Sequence, residues 1–141
     1  ADKTSVIHES AGSLFSKSTE QEFLNCLRRR LGLPKKFILY VGSIRKHKNV
    51  EALLKAFSRL KVTVPGISLV LIGKRQKGYQ LSLEGAHHIE AKISDRELAG
   101  VYSLADCFCN LSLHEGFGLT ILEAQAALHR LWPVTLLVTG R

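Results

Sequence analysis

Apolar positions along this chain switch repeatedly between a helical and a strand-like period. Phe23, Leu24, Leu27 and Leu31 recur at helical spacing. They follow Thr19-Glu20-Gln21-Glu22, which has the form of a capping box. Gly32 ends this helix, with Pro34 just beyond. Residues 37–41 are continuously apolar, the pattern of a strand buried on both faces, and they stop at Gly42. Asn49 is placed to cap a helix whose apolar positions are Val50, Leu53, Leu54, Phe57 and Leu60. After a Pro65-Gly66 turn, residues 67–72 predict a second buried strand closed by Gly73. Residues 74–86 read as a loop with one short helix, and 87–90 as a third strand. Ser94-Asp95-Arg96-Glu97 is a second capping box, opening a helix through Leu104. A fourth strand is expected at 106–111, a loop at 115–118, a helix through Glu123 to about Ala127, and a fifth strand at 133–138.

Repeated strand–helix units with short connections define an α/β fold: a Rossmann-like three-layer sandwich around a parallel sheet, with right-handed crossovers. Ligands of such sheets bind beyond the carboxyl ends of the strands. That rule selects three loops, 42–48, 73–77 and 112–120. The chain divides into a lead-in segment and helix (1–36), a domain core (37–127) and a divergent end (128–141).

Composition narrows the picture. With 141 residues and 45% apolar content, the chain suits one globular domain. No apolar run approaches the roughly 18 residues of a membrane span, and the first five residues lack a signal peptide's apolar centre. The chain starts at Ala1, so a piece of something longer is expected. Cys26, Cys107 and Cys109 form no zinc-ligand spacing and read as ordinary thiols of a reducing cytoplasm. Between Arg28 and Lys77 there are fourteen Lys or Arg and one acid, Glu51. Such a stretch is either a solvated face or an invitation to phosphate, as nucleotide, nucleic acid or anionic lipid. Peripheral contact with the cytoplasmic membrane face is one consequence. Nucleic acid is disfavoured, because no exposed aromatic cluster or known module accompanies the charge.

The sharpest signal is His114-Glu115-Gly116-Phe117-Gly118-Leu119-Thr120-Ile121-Leu122-Glu123. It carries two carboxylates eight positions apart, one before a helix and one inside it. Gly116 and Gly118 remove side chains where backbone approaches a ligand. The amides of Leu119 and Thr120, at a helix start, favour an anion. Each carboxylate can accept hydrogen bonds from a vicinal diol. A molecule with a diphosphate between two diols matches all of these features, and a nucleotide sugar is such a molecule. The spacing alone favours two glutamates on a solvated face. The intact E-G-F-G-L after a buried strand decides for a site.

Tyr40-Val41-Gly42-Ser43, Lys48-Asn49, the 53–57 helix, 69–73, 98–106 and the 115–123 motif together resemble the C-terminal domain of family 4 glycosyltransferases, retaining enzymes of the GT-B fold. The resemblance spans roughly residues 37–127. It implies that Glu115 holds the donor sugar's hydroxyls, Glu123 the ribose, and Lys48 the diphosphate, with Glu115 and Lys48 the catalytic pair. Gly42, Ser43, Arg45, Gly116, Phe117, Gly118, Leu119 and Thr120 complete the donor-binding set. On that assignment, Glu115→Ala leaves a bare nucleoside diphosphate unaffected. Members often carry Arg where this chain has Ser43, and Arg45 or Lys46 compensates only in part. Ile93-Ser94 falls where the family's backbone often meets the nucleobase, although Ser94 also caps a helix. His114, often Tyr in relatives, is taken as a packing residue. The resemblance further implies no cofactor and no metal, in keeping with the lack of a D-x-D motif. Bond cleavage would pass through an oxocarbenium-like state, with Lys48 and the helix amides stabilising the leaving diphosphate.

Beyond Ala127 the text departs from the family, which has a Cys-Gly-x-Pro-like turn where this chain reads Leu128-His129-Arg130-Leu131-Trp132-Pro133. A strand at 133–138 and a lost reading frame both remain open. The N-terminal acceptor domain is outside this chain, so the chain alone is expected to be inactive. The competing readings are a non-catalytic nucleotide- or phosphate-binding remnant and a basic nucleic-acid-binding module. Glu115 and Glu123 argue against the latter, since carboxylates repel a phosphate backbone.

Overall fold

The computed structural model describes residue 15 and residues 20–115 and 118–127. Thr19, Gly116, Phe117 and the expected strand at 133–138 lie outside the described residues. Four strands, β1 (Phe37–Val41), β2 (Ser68–Ile72), β3 (Ala86–Ile89) and β4 (Cys107–Phe108), form one sheet in the order β3-β2-β1-β4. Every pairing is parallel. Among the described residues, four α-helices accompany them: α1 (Gln21–Leu31), α2 (Val50–Thr63), α3 (Asp95–Leu104) and α4 (Leu119–Ala127). None of the described helices is long and apolar enough to cross a membrane.

Strand side chains alternate between faces, so a parallel sheet needs a cover on each side. The two cores show this alternation directly. Phe37, Leu39, Val70, Ile72, Ile89 and Phe108 pack with Leu27 and Leu31 of α1, Val101 and Tyr102 of α3, and Ala124 and Ala127 of α4. Ile38, Tyr40, Leu69 and Leu71 point the other way, onto Val50, Leu53 and Phe57 of α2. The result is the expected three-layer α/β sandwich. At about 25 cal/mol per Å² of apolar area, a fully buried Leu or Phe contributes roughly 1.5–3 kcal/mol. These two clusters therefore dominate the stability of the described chain.

Several boundaries differ from the sequence expectation, each for a local reason. α1 starts at Gln21 with Glu20 at the cap position and no side-chain cap. The Glu20 carboxylate instead accepts a hydrogen bond from Arg96 at 2.9 Å. Asn49 precedes α2 as expected but does not cap it with its side chain. A single 3-10 turn, Lys46–Lys48, delivers Asn49 in a left-handed conformation (φ 53°). Its carbonyl, rather than its amide side chain, accepts from Ala52 and Leu53. The Ser94 box on α3 forms in full, with Ser94 and Glu97 each accepting from the other's backbone amide. Residues 74–85 contain a turn, closed by Tyr79 N donating to Gln76 O, and no helix. β4 is shorter than expected because Asn110 interrupts the ladder. Its side chain takes the Ser112 amide at 3.0 Å, turning the chain away from β1.

The strand order creates a switch point. The chain moves outward from β1 to β2 to β3, then crosses back to place β4 on the other side of β1. The loops leaving β1 and β4 therefore diverge at the carboxyl edge, where open α/β sheets form their ligand crevice.

Candidate functional site

The loops after β1 and β2 stay paired past the strand ends. Gly42 N donates to Ile72 O, Ile44 N to Lys74 O and Gln76 N to Ile44 O. This pairing brings Gly42 and Gly73 into backbone contact. A Cβ on Gly73 would sit 2.1 Å from the Gly42 carbonyl oxygen, and its φ is +142°. No other residue fits there, which explains the glycine that follows β2. Loop 73–77 is thus tied to loop 42–48 through the Ile44–Arg75 bridge. Tyr40, buried beneath the first loop, donates its hydroxyl to Ser43 O at 3.0 Å. Burial and then the nearby Glu115 charge push its phenol upward, so it stays a neutral donor.

The third loop joins the first through Leu113 N, which donates to His47 O at 2.8 Å. Lys48 and Glu115, 67 positions apart, meet across the switch point. The Lys48 Nζ lies 2.7 Å from both carboxylate oxygens. Both side chains are mostly covered, at 20% and 17% exposure. Asn110 Nδ2 adds a third hydrogen bond to Glu115 Oε1 at 3.1 Å. Burial alone would raise the Glu115 pKa. The hydrogen bonds from Lys48, Ser112 and Asn110, and the Lys48 charge, hold it below the ordinary carboxylate value.

Glu123, on the second turn of α4, is held differently. The buried Tyr102 hydroxyl of α3 donates to Glu123 Oε2 at 3.1 Å and approaches Thr120 O at 3.3 Å. Burial raises the Glu123 pKa; the Tyr102 hydrogen bond opposes this and the Asp95 charge adds to it, leaving it above the ordinary value. The Tyr102 ring is fixed edge-on against Phe15 and Phe108. Leu119 and Thr120 are the first two residues of α4. Amides in this position have no intrahelical acceptor, and the helix dipole favours an anion there.

The structure places these residues on the loops and the helix start that follow the strand ends: Gly42, Ser43 and Lys48 on the first loop, Glu115 on the third, and Gly118, Leu119, Thr120 and Glu123 at or before the start of α4. Arg45 is exposed at the start of the 3-10 turn. Gly118 carries a conformational demand (φ 78°), and a Cβ there would meet the Ile121 side chain at 3.1 Å. His114 is exposed, so it is not a packing residue as expected. Asn110, Ser112 and Tyr102 escaped the sequence reading. Each sits in an apolar stretch and looks like strand or helix filling.

The chain matches the family described as "Glycosyl transferases group 1" over residues 27–132. It is 31% identical over 115 residues to the serotype-specific mannosyltransferase WbdA of Escherichia coli, covering 74% of this chain and 14% of WbdA. It is 28% identical over 116 residues to the mannosylfructose-phosphate synthase of Agrobacterium fabrum, covering 72% of this chain and 26% of that protein. Among solved structures, the C-terminal domain of the group 1 protein LpcC from Francisella tularensis superposes with a TM-score of 0.66 at 20% identity, covering 84% of this chain and 67% of that one. Anabaena HepE, solved with UDP-glucose, gives 0.61 at 22% identity, covering 81% and 33%. The fold and the family match together define a C-terminal GT-B glycosyltransferase domain. The chain belongs to the group 1 glycosyl transferases, and it spans 14% and 26% of the lengths of the two curated relatives above.

Proposed function

We propose that this chain is the donor-binding domain of a retaining glycosyltransferase that takes its sugar from a nucleoside-diphosphate sugar. The observation that carries the reading is the Lys48–Glu115 contact at the switch point. A cation and a carboxylate meet there, and the chain runs on within a few residues to the start of α4 and a second carboxylate, Glu123; such a set suits a diphosphate flanked by two diols. Lys48 and the α4 amides would take the diphosphate and stabilise the charge that grows on it as the glycosidic bond breaks. Glu115 would accept from the sugar's hydroxyls and Glu123 from the ribose. WbdA, a mannosyltransferase, and HepE, solved with UDP-glucose, support this reading. Transfer itself would need a second, acceptor-binding domain to close the crevice and exclude water. Contact with a membrane face remains part of the proposal only through the basic stretch 28–77.

The test is a titration of the chain and its Glu123→Ala variant with UDP, GDP, UDP-glucose and GDP-mannose. Charge-assisted hydrogen bonds are worth about 1.5–3 kcal/mol. Glu123→Ala should therefore weaken diphosphate and sugar nucleotide alike by roughly tenfold or more. No binding by the unaltered chain, or undiminished binding by the variant, would remove the donor-site reading.

A further inference from the structure

Among the described residues, three polar side chains besides Tyr40 and Tyr102 are buried: Ser103, Asn110 and Ser112. Ser103 donates to backbone carbonyls of α3 and α4. The other two sit directly under Glu115. Burying an amide and a hydroxyl is costly unless their hydrogen bonds are made. Here they are made to one another and to the carboxylate. Asn110 Oδ1 accepts from Ser112 N at 3.0 Å and from Ser112 Oγ at 2.7 Å, while Asn110 Nδ2 donates to Glu115 Oε1 at 3.1 Å. The turn needs only the acceptor side of this amide. The donor side is spent on Glu115.

This matters because Lys48 has two claims on it. Its ammonium lies on both oxygens of Glu115. A diphosphate in the crevice competes for the same ammonium. Without another donor, Glu115 would then be a half-buried carboxylate with no partner, and it would swing out or take up a proton. From the geometry we infer that Asn110, braced by Ser112, is a positioning residue. It holds Glu115 in place while Lys48 is drawn to the diphosphate, so the carboxylate meets the sugar already oriented. This inference rests on the donor-site reading for its ligand, but not for its structural half.

Asn110→Ser separates the two roles of the amide. A serine hydroxyl still accepts from the residue 112 amide as a turn-former, and it is too short to reach Glu115. The Glu115 carboxyl is followed by carbon-detected NMR across pH in the ligand-free chain. Affinities for UDP, GDP, UDP-glucose and GDP-mannose are measured in parallel. The expected result is an upward shift of the Glu115 titration and a five- to tenfold loss for the sugar nucleotide, about 1–1.4 kcal/mol, with the diphosphate unaffected. Ser112→Ala, which leaves the Asn110–Glu115 hydrogen bond but removes its brace and the hydroxyl next to the carboxylate, should give a smaller change of the same sign. It also serves if Asn110→Ser does not fold. An unchanged Glu115 titration in both variants, or equal losses for diphosphate and sugar nucleotide, would overturn the inference. If the unaltered chain binds neither ligand, the donor reading fails while the titration still decides the role of Asn110.

Discussion

Replacing Glu115 by Gln should strengthen, not preserve, the binding of a bare nucleoside diphosphate. Read from sequence, Glu115 touches only the sugar, and its loss leaves the diphosphate indifferent. The structure alters that argument, because Glu115 is the partner of the cation that the diphosphate needs. Lys48 must loosen two 2.7 Å contacts before it can serve a phosphate. Exposed ion pairs contribute about 0.2–1 kcal/mol, and hydrogen bonds to charged groups about 1.5–3 kcal/mol. A pair at 20% and 17% exposure lies between these limits, so the competition costs roughly 1–1.5 kcal/mol. Removing the carboxylate charge should relieve most of it, tightening the diphosphate by about five- to tenfold. The same substitution should weaken the matching sugar nucleotide relative to its diphosphate, since the sugar's acceptor is lost. Calorimetric titration of both ligands into both proteins reads the difference directly. A Glu115→Gln chain that binds the diphosphate no better than the unaltered chain would show that Lys48 and Glu115 do not compete with the ligand.

Three further outcomes follow from the same geometry. Gly73→Ala places a methyl group 2.1 Å from the Gly42 carbonyl at a φ of +142°, and should cost roughly 3 kcal/mol in urea unfolding; a loss under about 1 kcal/mol would contradict the close approach. Tyr102→Phe keeps the ring contacts with Phe15 and Phe108 but removes the donor to Glu123. It should push the Glu123 titration further up and weaken diphosphate binding several-fold, and an unmoved titration would refute the hydrogen bond. On acidification Glu123, with its raised pKa, should protonate before Glu115, with its lowered one. Stability contributed by Glu115 is present above the ordinary carboxylate pKa and lost as pH falls below it. The strain on ionised Glu123 appears only as pH rises from the ordinary value through the raised one. Carbon-detected titration of the two side chains gives the order, and the reverse order would refute the two environments described.

The layered α/β fold was legible because buried parallel strands leave an unmistakable run, as in 37–41 and 68–72, and because α1 and α2 keep their apolar residues on one face. The Ser94 box was legible for the same local reason: cap and partner are three residues apart. What was hidden depends on distant neighbours. The role of Asn49 changed because the preceding 3-10 turn set its backbone before its side chain could act. β4 looked longer in sequence because Asn110 and Ser112 sit among Cys109 and Leu111, and only the fold shows them turning under Glu115. Tyr102 carries the spacing of a core aromatic, which it is, and its hydroxyl acquires a task only when α4 docks beside α3. The candidate site was visible as a set of loops, since strand ends mark the carboxyl edge. Its central contact, between residues 48 and 115, follows from the crossover to β4 and has no local signature.

The donor-site account stands or falls most directly on where a nucleotide sits. Amide and side-chain NMR shifts of the labelled chain, followed during titration with UDP-glucose and GDP-mannose, map that position. The account predicts saturable changes at Gly42, Ser43, Lys48, Glu115, Thr120 and Glu123, at the carboxyl edge of the sheet. Changes confined to Lys35, Lys36 and the turn at Pro65-Gly66, at the opposite edge, or none at all with either ligand, would contradict it.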